Sequence, residues 1–272
     1  MQISLSPEVQ LSYDNVGSGQ PLVLLHAFPL SHEMWRGQIR EFADDYQIIA
    51  PDARGFGEST SFDDLSTDAE PSLQLVAQDV VALLDRLGVT QPIILCGLSM
   101  GGYTALEFAR QFPDRLAGLI LADTRADADS DEAKKSRDEM IEFARSHTGE
   151  AVAEKMLPKL LGQTTREHNL AVAARVRELA EPLTGHNAAA MLTALRNRRD
   201  STEMLSEIKV PTLVVGGAED EICSPEIMAA MAAKIHGARH ETIRDAGHLS
   251  NLEAPESFNA VLREWLSENF AV

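Results

Sequence analysis

Cysteine is nearly absent. The 272 residues hold two, Cys96 and Cys223, too few for a disulfide framework. Cys96 falls inside an apolar stretch and reads as a small core side chain. Positive charge is scarce as well: 24 Lys and Arg face 42 Asp and Glu, a formal net charge of −18. That balance argues against nucleic acid or an anionic membrane surface as a partner. No apolar run approaches the ~20 residues of a transmembrane helix. The opening Met1-Gln2-Ile3-Ser4-Leu5-Ser6 lacks a basic region followed by an apolar one, so no signal peptide is expected and a cytoplasmic location is. Metal and nucleotide patterns are missing too. His236 and His240 have a helical gap, but Gly237 lies between them and no His-Glu-x-x-His pattern occurs. Neither a phosphate-cradling loop nor a dinucleotide fingerprint is present, and no metal or cofactor is expected.

What is present is an alternating pattern. The hydrophobic content of 44% and charged content of 24% are those of an ordinary globular chain, long enough for one large domain or a core with an insertion. Residues 9–13, 22–26, 47–50, 92–96 and 116–121 read as strands. Residues 72–87 read as a helix stopped by Gly88, and residues 103–112 as another. This rhythm predicts an α/β fold, a mostly parallel central sheet flanked by helices. Between residues 123 and 200 the strand signals vanish. Amphipathic stretches at 132–145, 150–161, 166–179 and 188–197 predict a helical insertion. Strand rhythm resumes at 211–216 and 240–243, and a helix over 255–268 ends the chain. The expected organisation is a core of residues 1–122 and 201–272 with a helical cap of residues 123–200.

The most informative run is Pro92-Ile93-Ile94-Leu95-Cys96-Gly97-Leu98-Ser99-Met100-Gly101-Gly102. A buried-strand signal enters Gly97-x-Ser99-x-Gly101, and a helical pattern follows. On such a tight turn the serine is held in a strained conformation, the glycines leave room across it, and Ser99 Oγ stands at the positive end of the helix dipole. Ser99 is therefore the candidate nucleophile.

A serine needs a base, and the base a carboxylate to hold its tautomer. His248, in Asp245-Ala246-Gly247-His248-Leu249, follows the last strand and precedes the last helix. His147, His168 and His186 fall in the insertion, and His236 and His240 flank a surface helix and a strand. For the acid, Gly217-Ala218-Glu219-Asp220-Glu221 follows the 211–216 strand. Asp220 is preferred for its short side chain and central place in the turn. Asp123, at the end of the preceding strand, is the rival. The oxyanion requires two backbone N–H donors. Met100 follows the nucleophile, and Phe28 lies in His26-Ala27-Phe28-Pro29 after the second strand, where Pro29 has no N–H to give. His26 is expected to brace that loop, and Asp52 and Arg54 to pair and hold the Pro51–Ser59 loop.

Taken together, the elbow, His26-Ala27-Phe28-Pro29, Pro51-Asp52-Ala53-Arg54-Gly55-Phe56-Gly57-Glu58-Ser59 and Ala246-Gly247-His248 resemble the α/β-hydrolase superfamily over nearly the whole chain except the insertion. The nearest look is to Ser-nucleophile carboxylesterases, enol-lactonases of the 3-oxoadipate type and perhydrolase relatives. The resemblance implies the order serine, acid, histidine, which favours Asp220. It also implies that Ser99 sets the chain apart from the dehalogenase and epoxide-hydrolase branches, which use an aspartate there. One departure is His26-Ala27 where the family has His-Gly, expected to stiffen the loop and narrow the acyl side of the pocket.

The expected activity is hydrolysis of a small-molecule carboxylic ester or lactone through an acyl-enzyme. Phe28, Phe143 and Met156 are expected to touch substrate, with Met140, Leu157 and Met191 alongside. Two alternatives are carbon–carbon bond hydrolysis of a dienoic diketone and a non-catalytic receptor or scaffold on the same fold, which would need a damaged triad.

Overall fold

The computed structural model describes residues 1–64 and 71–270. Its strands are β1 (Gln2–Ser4), β2 (Gln10–Val16), β3 (Gln20–Leu25), β4 (Tyr46–Pro51), β5 (Ile93–Leu98), β6 (Leu116–Ala122), β7 (Thr212–Gly217) and β8 (Arg239–Ile243). They form one sheet in the order β1-β2-β4-β3-β5-β6-β7-β8. The β4-β3-β5-β6-β7-β8 run is parallel, while β1 and β2 pair antiparallel at one edge.

Two-residue periodicity explains why the central strands read as continuous apolar runs. Leu22, Leu24, Ile94, Cys96, Leu98, Ile120, Ala122, Leu213 and Val215 belong to one core. Val23, Leu25, Ile93, Leu95, Leu119, Leu121 and Val214 belong to another. A strand buried on both faces needs apolar residues at odd and even positions alike. Helices α1 (Arg36–Phe42) and α11 (Pro255–Asn269) cover the first face through Ile39, Phe42, Phe258, Leu262 and Trp265. Helices α2 (Leu73–Arg86), α3 (Met100–Gln111) and α9 (Pro225–Ala232) cover the second through Val80, Leu83, Leu106, Phe108 and Met228.

Between β6 and β7 lie five helices: α4 (Asp131–Ala144), α5 (Gly149–Leu160), α6 (Gln163–His168), α7 (Leu170–Ala180) and α8 (Gly185–Arg196). Side chains of Ser130, Thr148 and Thr184 cap α4, α5 and α8 by accepting an N–H from the first turn. The short α10 (Ser250–Glu253) precedes α11. Among the described residues no helix is long and apolar enough to cross a membrane.

Three boundaries differ from expectation. Helix α3 begins at Met100 rather than Tyr103, directly after the nucleophile candidate. The stretch 166–179 is not one helix: α6 ends at His168, and Asn169, with φ −137° and ψ 69°, breaks the chain before α7. Strand β1 and helix α1 have no counterpart in the sequence pattern, being only 3 and 7 residues long.

Candidate active site

A parallel sheet delivers the loops after its strands to one edge, and every expected site residue of the core arrives there. Ser99 follows β5 as the residue before α3, with φ 54° and ψ −110°. A Cβ on Gly97 would lie 2.1 Å from the Gly101 carbonyl oxygen, and one on Gly101 2.1 Å from the Leu25 carbonyl oxygen of β3. Only glycine fits at either place, so the Gly-x-Ser-x-Gly spacing is a steric demand of the turn.

His248 Nε2 is 2.7 Å from Ser99 Oγ, and His248 Nδ1 is 2.8 Å from Asp220 Oδ2. The other Asp220 oxygen, Oδ1, accepts the N–H groups of Ile222 at 2.7 Å and Cys223 at 2.9 Å. Both lone-pair faces of the carboxylate are thus occupied, and the group is aimed at the imidazole. Asp220 and His248 are 3% and 1% exposed, Ser99 9%. Burial works against the His248 imidazolium, but the neighbouring carboxylates, Asp220 foremost, together outweigh it and hold the pKa above the ordinary value of 6.5.

The three adjacent acids divide sharply. Glu219 accepts the N–H of Thr164 at 2.8 Å, at the start of α6. Glu221 is exposed and 3.8 Å from the Arg166 guanidinium. The rival Asp123 is fully buried but accepts from Gly217 N–H and meets the Ser250 hydroxyl, with no hydrogen bond to His248.

Phe28 lies in the loop after β3 and Met100 opens α3 after β5, and neither backbone N–H has an acceptor among the described residues. Two unpaired amides on neighbouring loops are what a developing oxyanion requires. His26 holds the Phe28 loop. Its Nε2 accepts the Ala53 N–H at 3.0 Å, which leaves Nδ1 to donate to the Ala27 carbonyl at 3.0 Å. Burial lowers the His26 pKa, consistent with that neutral ring. Ala27 has no positive φ, so glycine is not demanded there. Its methyl lies in the core with Leu30 and Met34, whereas Phe28 belongs to the core of Phe56 and Met100. The expected narrowing of the pocket by Ala27 finds no support in that placement.

The expected Asp52–Arg54 pair does not form. Asp52 accepts the His32 N–H at 2.7 Å and faces His32 Nδ1 at 2.8 Å, while Arg54 makes two 2.6 Å bonds to Asp79 of α2. Each charge is better served by a partner that also anchors a second element, so the loop is pinned at two points instead of closing on itself.

From the inserted helices, Met140, Phe143, Met156 and Met191 join the cluster that holds Phe28 and Met100. Met191 is fully buried there. Phe143 stacks on His147, with centroids 3.8 Å apart, and Lys155 Nζ lies 4.2 Å from its ring centroid. Leu157 instead packs with the core that contains Ala27 and Leu249. The junction of α5 and α6 is held to the core by Glu253, which accepts the Gly162 N–H at 2.8 Å, and by Glu219. Here a Cβ on Gly247 would lie 2.2 Å from Gly162 N, so the insertion rests directly on the residue before His248.

Among the described residues, Asp220, Cys223 and His248 bring possible metal-ligating atoms within 4.8 Å of one another. Burial and the Asp220 carboxylate hold the Cys223 thiol well above its ordinary pKa, which disfavours the thiolate a metal would need.

The chain belongs to the α/β-hydrolase fold family, whose description matches residues 20–255. Among solved structures it is similar to a thermophilic esterase from Thermogutta terrifontis in its malate-bound form, at 40% identity and TM-score 0.90, covering 96% of this chain and 94% of that one. The enol-lactonase from Burkholderia xenovorans LB400 is 26% identical with TM-score 0.86, over 97% and 99% of the two chains. Among curated proteins, 3-oxoadipate enol-lactonase 2 of Acinetobacter baylyi is 28% identical over 255 residues, 93% of this chain and 91% of its own.

Proposed function

We propose that the protein is a serine hydrolase that cleaves a small carboxylic ester or lactone through an acyl-enzyme. The observation that carries this reading is the continuous hydrogen-bond chain from Asp220 through His248 to Ser99 Oγ. The esterase and enol-lactonase relatives support the choice of ester bond. His248 Nε2 takes the hydroxyl proton as Ser99 Oγ attacks the acyl carbon. The carbonyl oxygen, now negative, moves toward the Phe28 and Met100 amides. Collapse of the tetrahedral species breaks the bond to the leaving oxygen, which receives the proton from His248. Water then attacks the acyl carbon while giving a proton to the same nitrogen, and collapse of the second tetrahedral species breaks the bond to Ser99 Oγ, which takes that proton back from His248 as the carboxylic acid leaves. Asp220 holds the imidazole with Nδ1–H toward itself throughout and stabilises the imidazolium. Residues 123–200 act as a cap whose apolar side chains receive the acyl group, with Phe28, Met156 and Phe143 as the substrate contacts.

A fluorophosphonate should label the peptide carrying Ser99, and Ser99→Ala should lose on the order of 10⁴-fold or more in kcat on a nitrophenyl ester. Label on a different serine, with Ser99→Ala still active, would overturn the assignment.

A further inference from the structure

Asp123 stands outside the hydrogen-bond chain of the triad, yet it is fully buried with φ 43°. A non-glycine residue keeps such a backbone conformation only where its surroundings over-determine it. Those surroundings are the loops that bear the three triad residues. On either side of Asp123 in sequence, the Ala122 carbonyl accepts the Ser99 N–H at 2.9 Å and the Thr124 hydroxyl donates to the Ser99 carbonyl at 3.0 Å. Its carboxyl group spans the other two loops. Oδ1 accepts the N–H of Gly217, three residues before Asp220, at 2.8 Å, and Oδ2 meets the hydroxyl of Ser250, two residues after His248.

We propose that Asp123 is a positioning residue whose carboxyl clamps the acid loop to the histidine loop and so keeps Asp220 aligned on His248. This rests on the serine-hydrolase reading, whose own failure would show separately, as an active Ser99→Ala. The titratable groups that face Asp123 are Asp220, His248, Cys96 and Cys223. Burial, then the Asp220 carboxylate, holds its carboxyl well above the ordinary carboxylate range. Both carboxyl oxygens accept in this bridge, Oδ1 from the Gly217 N–H and Oδ2 from the Ser250 hydroxyl. Asparagine keeps the bridge, with a carbonyl that accepts from Gly217 and an amide N–H that donates to the Ser250 oxygen once that hydroxyl turns. Alanine reproduces neither.

The test compares Asp123→Asn, Asp123→Ala and Ser250→Ala with the unaltered enzyme on a nitrophenyl ester. It reads kcat, KM, the acid limb of the pH profile and the low-field proton resonance of His248 Nδ1–H. Asp123→Asn should keep kcat within about threefold, an unmoved acid limb and the resonance. Asp123→Ala should lose roughly 10²-fold in kcat with little change in KM, the scale expected when a reacting group is misplaced by ~1 Å, and its resonance should broaden or vanish. Ser250→Ala should move the same quantities in the same direction, less far. A folded Asp123→Ala with undiminished kcat and resonance overturns the clamp. So does an Asp123→Asn as damaging as alanine with its acid limb displaced, because charge would then matter rather than the bridge. Should Asp123→Ala fail to fold, an unaltered kcat and resonance in Ser250→Ala overturns it.

Discussion

His248 can accept the Ser99 proton only while its Nε2 is unprotonated. Its pKa lies above 6.5 because the Asp220 carboxylate stabilises the imidazolium against the cost of burial. Activity should therefore fall as pH drops through a value above 6.5, and the acid limb of kcat/KM reports that group in the free enzyme. Replacing Asp220 by Asn removes the stabilising charge and favours the wrong tautomer. The limb should move to lower pH, and kcat should fall by about 10⁴-fold with the fold intact. An acid limb that stays in place in Asp220→Asn would mean that another group governs the profile. Ser99 and His248 were legible in the sequence because each sits in a short motif whose geometry is local. Asp220 was separable from Glu219, Glu221 and Asp123 only by inference, since the distinction depends on which carboxyl meets the imidazole. His32 carried no signal at all: its partner Asp52 is 20 residues away and no spacing rule links them.

Among elements, the strands and the longer helices follow from periodicity and caps, and the sequence pattern located β3, β5, β6, β7 and α11 to within a few residues. Helices α6 and α7 ran together because the apolar spacing continues across Asn169 while the backbone does not. The contacts that seat the insertion, Glu219 on Thr164 and Glu253 on Gly162, span 55 and 91 residues, so nothing local announces them. Helix α5 contributes Met156 to the cluster that holds Phe28 and Met100, which makes Met156 the better probe of acyl preference. Met156→Ala should re-rank nitrophenyl esters of graded chain length by about 1–3 kcal/mol while the acetate ester changes little. Phe143→Ala should shift that ranking less, because its ring is already engaged by His147 and Lys155. Equal loss on every ester by a folded Met156→Ala would instead place the helix within the chemistry.

For the whole molecule, the parallel sheet and its two apolar cores carry Ser99, Asp220 and His248, while the five inserted helices hang from one edge of it. The two arms of that insertion are joined where they leave the sheet. Ser201 N–H donates to the Ala126 carbonyl at 2.8 Å, and buried Arg198 reaches the Asp127 carbonyl and the Asp129 carboxylate at 2.9 and 2.6 Å. Arg137 of α4 meets the second oxygen of Asp129 at 2.6 Å. A neck closed in this way gathers both ends of the insertion at one place, while the junction of α5 and α6 rests on the core through Glu219, Glu253 and Gly247. An exchange of what lies above the neck should leave Ser99, His248 and their alignment in place where it keeps those contacts. A chimaera in which residues 138–197, above Asp129 and Arg137, are exchanged for those of an enol-lactonase should accordingly fold, label at Ser99 with a fluorophosphonate, and change its ranking of esters and lactones. Failure of that chimaera to label would show the neck to be a conduit rather than a boundary. Substrate range in this lineage would then have to change together with the catalytic centre.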